Sequence, residues 1–206
     1  CCGVLLLVWP EITGNMGLTT LQLEHLRLPA LALALLLAGK ILAVKGLGGF
    51  HLVCDASNPE AVALLRARKR REGKAFAVMV AGTADARRAC HVDKAEQGAL
   101  ESTKRPIVLL RKRAEAQFAA GLADNLPELG VMLPCTPVQH LLLHDFAEAL
   151  RAQQGDSALP MLVMTSGNLH NEPIVIDDDQ ALVKFAGIAD AVLGNDRRIL
   201  SRYDDS

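Results

Sequence analysis

The sequence is poor in aromatic residues, nearly balanced in charge and short of any uninterrupted apolar run that could cross a bilayer. Five Phe, one Tyr and one Trp make up 3% of 206 residues, and none stands within the basic clusters, where stacking on single-stranded nucleic acid would need them. A net charge of −1 argues against a protein that coats nucleic acid, although local basic patches survive that argument. Residues 21–37 are very apolar, but Glu24, His25 and Arg27 break the run, leaving fewer than the ~20 residues that a span needs. A membrane anchor thus gives way to an irregular lead-in and a helix over 29–37, ended by Gly39. The five cysteines (Cys1, Cys2, Cys54, Cys90 and Cys135) are odd in number and scattered, which suits reduced thiols in a cytoplasmic protein better than a disulfide framework. Internal repeats and low-complexity linkers are missing too.

Several site motifs are also absent. Gly46, Gly48 and Gly49 do not complete G-x-G-x-x-G, because the last position is His51, and no G-x-x-x-x-G-K-[ST] occurs, so neither a dinucleotide fold nor a P-loop is expected. His140 and His144 share a helix face, but they stand in HLLLH with no Glu between them and no third ligand nearby, so no metal site is expected there. Cys54 and Cys135 read as small core residues rather than nucleophiles.

What is present concentrates in residues 41–80, ILAVKGLGGFHLVCDASNPEAVALLRARKRREGKAFAVMV. An apolar strand over 41–44 ends on Lys45, and the glycines that follow allow backbone angles that side chains forbid, giving a tight turn into a second strand over 51–54. Ser57 with Glu60 reads as a capping box, Pro59 suits the first turn, and the helix should run to about Arg71. Arg66, Arg68, Lys69, Arg70 and Arg71 crowd its end, with Lys74 just beyond and only Glu72 to offset them. Cations complement a helix C-terminus by roughly 0.3–1 kcal/mol each. So many close together also repel one another, which favours a multiply anionic ligand such as a polyphosphate against part of the cluster.

The rest of the chain reads as one sizeable α/β domain with room for an appendage. Residues 3–9 form a short apolar strand-like stretch ending at Pro10. Two short helices are expected within 83–100, a buried strand at 106–110 between basic flanks, and a surface loop over 119–129. A short apolar run at 131–133 precedes a helix over 138–152. A strand at 161–164 leads directly into Thr165, Ser166, Gly167 and Asn168, the place where α/β folds set ligand groups at the carboxyl end of a sheet. An acid-started helix at 177–185, a strand at 191–193 and a polar tail over 197–206 complete the chain.

Six blocks carry a family resemblance: Lys45-Gly46-Leu47-Gly48-Gly49-Phe50-His51; Cys54-Asp55-Ala56; Arg68-Lys69-Arg70-Arg71 leading to Phe76-Ala77-Val78-Met79; Gly130-Val131-Met132-Leu133-Pro134; Thr165-Ser166-Gly167-Asn168-Leu169; and Asp204-Asp205-Ser206. In this order they resemble the YrdC-like domain of the hydrogenase-maturation carbamoyltransferase HypF, over about residues 31–206, with residues 1–30 as a lead-in. The threonylcarbamoyl-AMP synthases are more distantly similar, through a K-x-R … S-x-N pattern that falls on Lys69, Arg71, Ser166 and Asn168.

The HypF resemblance implies a YrdC-like open, twisted, mixed parallel and antiparallel sheet flanked by helices. It implies ATP-dependent joining of carbamate, derived from carbamoyl phosphate, to give carbamoyl-adenylate and pyrophosphate. Other domains of HypF then pass the carbamoyl group to the partner HypE, on the way to the cyanide ligands of [NiFe]-hydrogenase. Attack on the α-phosphate needs fixed cations and hydrogen-bond donors more than covalent help. By this resemblance Lys69 and Arg71 are catalytic and hold phosphates, and Ser166, Asn168 and Ser206 bind the nucleotide. Lys45, Gly48, Gly49 and His51 line the carbamate side, and Mg²⁺ arrives mostly through the ATP phosphates.

The sequence departs from the family at Glu72 and Ala75, where Pro is usual, and at His170 and Asn171, where Ser-Gly is usual. The family's acylphosphatase, zinc-finger and final transferase domains have no counterpart, so the chain resembles a fragment, with Cys1-Cys2-Gly3 as a last trace of the zinc-binding segment. Two alternatives stay open: a threonylcarbamoyl-AMP synthase of tRNA modification, separated by dependence on threonine, and a double-stranded-RNA-binding module built on the 66–74 and 104–113 clusters, separated by steep salt dependence.

Overall fold

A computed structural model describes residues 4–8, 19–21, 28–71, 73–169 and 172–203. Among the described residues nine strands form one sheet: β1 (Val4–Val8), β2 (Thr19–Leu21), β3 (Leu42–Lys45), β4 (Phe50–Asp55), β5 (Val78–Met79), β6 (Val108–Arg111), β7 (Glu128–Met132), β8 (Leu162–Ser166) and β9 (Ala191–Asn195). Their order across the sheet is β2-β1-β9-β3-β4-β8-β5-β7-β6. The pairs β3–β9 and β5–β7 are parallel and the others antiparallel, so the sheet is mixed. The described parts of the lead-in join it at the β9 side. Six helices are described: α1 (Leu28–Leu37), α2 (Pro59–Lys69), α3 (Thr83–Ala89), α4 (Lys94–Glu101), α5 (Pro137–Gln154) and α6 (Asp178–Lys184).

Successive strand residues point to opposite faces, and β4 shows what this does. Phe50, Leu52 and Cys54 enter one buried cluster, with Val62 and Leu65 of α2, Ala86 of α3, Leu100 of α4 and Ala181 of α6. Val53 enters the other, where Leu36 of α1 and Leu142, Leu143 and Phe146 of α5 cover the opposite face. The Phe50 and Phe185 rings meet edge-on at 5.7 Å, a geometry worth about 0.5–1.5 kcal/mol beyond its area.

Local signals act largely as expected, with instructive exceptions. Gly39 closes α1 at φ 72, and Thr136 and Gln139 form a capping box that starts α5. The cap of α2 is Asn58 rather than Ser57: Asn58 Oδ1 accepts from the Glu60 and Ala61 amides, while the Ser57 amide and hydroxyl donate to Asp55 Oδ1. Asn58 sits one residue nearer the first turn, so its short side chain reaches the open amides. The helix stops at Lys69, short of Arg71, because Arg70 turns left-handed at φ 52. The Arg70 and Arg71 amides bond Ala67 O and Arg66 O, a Schellman closure.

The 106–110 strand is not buried. It becomes the edge strand β6, with only Leu110 covered and Leu109 63% exposed, because one of its faces has no helix over it. The 119–129 stretch is less superficial than a surface loop: Leu122 and Ala123 are buried, and the Phe76 amide donates to Leu122 O. Of the two cysteines read as core residues, Cys54 is buried, whereas Cys135 is exposed in the turn before α5, where its amide donates to Gln139 Oε1.

Candidate functional site

The turn between β3 and β4 needs glycine for close approach rather than for unusual angles, since none of Gly46, Gly48 and Gly49 is among the positive-φ residues. A Cβ on Gly46 would stand 2.8 Å from the His51 ring and from Gly49 O; one on Gly48 would stand 2.5 Å from Tyr203 Cβ; one on Gly49 would stand 2.5 Å from Ile174 Cδ1. The neighbouring turn after β8 is equally tight: a Cβ on Gly167 would stand 2.5 Å from Phe50 O. A run of backbone bonds stitches both turns to residue 175. Gly167 N donates to Phe50 O, Phe50 N to Val175 O, and Val175 N to Gly167 O.

Lys69 ends α2 almost fully buried, 3% exposed. Its ammonium donates to Ser166 O, to Asn168 O (2.9 Å) and to Asn168 Oδ1 (2.7 Å). Asn168 Oδ1 also accepts from Ser166 Oγ at 2.9 Å, and Asn168 Nδ2 donates to Glu172 O at 2.7 Å. The K-x-R and S-x-N elements therefore meet, with Lys69 serving as the post around which the 166–168 turn is wrapped. Beyond the left-handed Arg70, Arg71 donates to Ala75 O and Lys74 O, and its guanidinium lies 5.1 Å from the Phe76 ring centre, with that of Arg66 at 4.8 Å. Burial, and then the nearby Arg66 charge, pull the Arg71 guanidinium below its ordinary range, which favours an anion beside it.

These groups border a cleft of about 470 Å³. It runs from His51 on β4 past Met164, Thr165 and Ser166 on β8 and Gly130 and Met132 on β7 to Leu109 on β6, with Arg71, Lys74 and Phe76 along one side and Ile174 at the β4 end. This is the sheet face on which α1 and α5 pack, at the part they leave open. Arg71, Ser166 and His51 line the cleft. Lys69 and Asn168 stand behind Ser166, while Lys45, Gly48 and Gly49 do not line it. Lys45 Nζ instead donates to Asp178 Oδ2 (2.7 Å) and Asn195 O (3.0 Å). Ser206, Glu72, His170 and Asn171 lie outside the described residues.

The basic run is divided among different duties. Arg66 donates to Gly121 O, Arg71 O and Lys74 O, and Arg68 pairs with Asp190 at 3.0 Å. The repulsion inferred from sequence is relieved by backbone carbonyls and by a carboxylate far along the chain, so fewer cations remain for an RNA backbone. Among the described residues no group of three or more His, Cys, Asp or Glu gathers as for a metal ion, and no helix is long and apolar enough to cross a membrane. His140 and His144 lie on the exposed face of α5. Sequence reasoning missed Ile174 as a cleft residue. The strand at 161–164 running into polar residues pointed at Thr165, and the basic run pointed at Lys74, though neither was given a role; nothing local marks Ile174.

Comparisons with known proteins show which family the chain belongs to. Carbamoyltransferase HypF2 of Cupriavidus necator is 52% identical over 173 residues, covering 82% of this chain and 21% of that protein. The crystal structure of full-length HypF in the phosphate- and nucleotide-bound form matches with a TM-score of 0.77 at 44% identity, over 86% of this chain and 22% of that one. The structure of T. kodakarensis HypF matches with a TM-score of 0.83 at 33% identity, over 100% of this chain and 24% of that one. The chain thus spans about a fifth to a quarter of the length of these relatives. The Sua5/YciO/YrdC family model, described as "Telomere recombination", matches residues 34–206, and the chain, with the mixed sheet of that family, belongs to it.

Proposed function

We propose that residues 31–206 form a carbamate-adenylating unit, with residues 1–30 as a lead-in, working within a carbamoyltransferase of the HypF type in hydrogenase maturation. The observation that carries this reading is the convergence of Lys69 and Asn168 on Ser166, in the wall of a cleft bordered by Arg71, in a chain similar to a HypF crystallised with phosphate and nucleotide bound.

In the reaction a carbamate oxygen attacks the α-phosphorus of ATP. The bond from that phosphorus to the bridging oxygen breaks, and pyrophosphate leaves with the electron pair; no proton has to move. Arg71 grips phosphate oxygens as a fork. Lys69 fixes the 166–168 turn and sets its positive charge behind it, so the Ser166 hydroxyl at the cleft wall meets the nucleotide in one geometry, with Asn168 holding it from behind. The apolar lining from Phe76 to Met132 suits the base, and Ser206 remains a nucleotide contact by family likeness. His51 faces the carbamate. Lys45, Gly48 and Gly49 support that end from outside the cleft. Mg²⁺ comes with the triphosphate, whose oxygens supply its ligands, since the polar lining offers hydroxyls and cations rather than carboxylates. In the parent enzyme, a cytoplasmic one, the carbamoyl group passes onward through other domains to HypE.

Pyrophosphate release from Mg-ATP, driven by ammonium bicarbonate as the source of carbamate, tests this. The expected result is release that depends on both reactants and falls at least about tenfold in Ser166→Ala, the scale of losing a hydrogen bond to a charged group. Release that requires threonine would instead make the chain a threonylcarbamoyl-AMP synthase.

A further inference from the structure

Ile174 shapes one end of the cleft, and its surroundings leave it nowhere to go. It is 1% exposed, it lines the cleft with His51, Thr165 and Ser166, and its Cδ1, Cγ1 and Cγ2 crowd the bare Cα of Gly49 so closely that a Cβ there would fall within 3.0 Å of all three. The adjacent residue, Val175, is bonded on both sides, to Phe50 N and Gly167 O. Two residues back, Glu172 is held through its carbonyl by Asn168 Nδ2 and through its carboxylate by Lys184 at 2.8 Å. The wall is thus a branched apolar side chain on a backbone tied to two turns, and the absence of a Cβ at residue 49 lets it seat that deeply.

We propose that Ile174 is a specificity-determining residue that limits the acid taken by the adenylating site to a one-carbon carbamate. This rests on the reading given under Proposed function and adds to it the residue that sets substrate size. The cations of the cleft, Arg71 and Lys74, stand on one side, so a triphosphate placed against them directs the attacking acid toward His51 and Ser166, where Ile174 closes the space. Carbamate, with only an amino group beyond its carboxylate, fits there. An N-carboxy amino acid, whose nitrogen carries a substituted carbon, meets the wall that Ile174 forms. A closed pocket excludes a substrate one methylene too large by about 10–200-fold. The chemistry is the same for both acids: oxygen to α-phosphorus bond made, α-phosphorus to pyrophosphate bond broken, pyrophosphate carrying off the pair.

The test uses the whole chain and acids that form unaided from bicarbonate and an amine. Pyrophosphate release from Mg-ATP is measured with bicarbonate plus ammonium, glycine or threonine, for wild type, Ile174→Val and Ile174→Ala, with circular dichroism to confirm folding. Wild type is expected to use ammonium and to reject the amino acids. Ile174→Ala should raise the amino-acid to ammonium ratio by about tenfold or more, with Ile174→Val shifted the same way by less. If Ile174→Ala does not fold, the direction of the Ile174→Val shift decides. A folded variant with the wild-type ratio overturns the size limit while leaving carbamate adenylation standing. A wild type that releases no pyrophosphate with ammonium bicarbonate overturns the adenylating reading itself, and the proposal with it.

Discussion

Two lysines, each 3% exposed, end a strand and a helix and do different things. Lys45, at the end of β3, gives its charge to Asp178 at the start of α6 and a further bond to Asn195 O, which clamps β3, β9 and α6 together away from the cleft. Lys69, at the end of α2, donates to two backbone carbonyls and the Asn168 amide oxygen, and the turn it organises is a wall of the cleft. Burial of a lysine is therefore not the mark of a site; what it is wrapped in, and which surface that wrapping faces, decides. By family resemblance both belong to the site, Lys45 on the carbamate side and Lys69 on the phosphates, and the fold separates them into a clamp outside the cleft and a template behind its wall.

The comparison breaks most sharply on removal of each amine. Lys69→Met leaves buried oxygens of the 166–168 turn unpaired, each costing about 1–3 kcal/mol, and should abolish measurable ATP binding while lowering the midpoint of urea unfolding. Lys45→Met leaves Asp178 able to turn to water, since its side chain is 61% exposed, so ATP affinity should stay within about twofold, well under the 1.4 kcal/mol that a tenfold change represents. Next in size is Gly167→Ala, whose methyl meets Phe50 O. Overpacking against backbone costs about 3 kcal/mol, read as a lower unfolding midpoint. Asp178→Asn removes a partly solvated pair and should cost about 1 kcal/mol or less, without changing nucleotide affinity.

The smallest effect concerns Asp55, on the other end of β4. Burial raises its carboxyl above the usual value, against the lowering by its bonds from Ser57. The native state then holds its proton more tightly than the unfolded chain. This group's contribution falls as pH rises from the ordinary carboxylate value of 3.8 through the raised native value, and stays level above it. Asp55→Asn keeps an acceptor for Ser57 and should flatten that part of the stability profile, with unchanged or slightly higher stability at pH 7. A variant that loses stability relative to wild type as pH rises through that window would show that the carboxylate is stabilised instead.

Local chemistry made much of the molecule legible in advance. The strand, turn, strand, helix order of residues 41–80 follows from apolar runs, glycines and a polar helix start, and the meeting of Lys69 with Ser166 and Asn168 was implied by likeness to a family pattern. What stayed hidden was non-local. Lys45 finds Asp178 133 positions away, Arg68 finds Asp190 122 positions away, and no periodicity encodes either. The glycines of the first turn were visible, but their reason was not: Ile174 and Tyr203 come from elsewhere in the chain, and the His51 ring folds back from the return strand, to occupy the space that missing side chains leave. The order of the strands is of the same kind, since β9 and β8, late in sequence, flank β3 and β4.

The central claim is that the Lys69 side of the molecule, and not the Lys45 side, holds nucleotide. Calorimetric titration of Mg-ATP into wild type, Arg71→Ala and Asp178→Asn, each checked by circular dichroism, tests it most directly. Losing charge-assisted bonds worth about 1.5–3 kcal/mol weakens binding by roughly 10–100-fold, so saturable binding should persist in wild type and Asp178→Asn and weaken by that much in a folded Arg71→Ala. Equal affinity in all three, or a loss confined to Asp178→Asn, would contradict it.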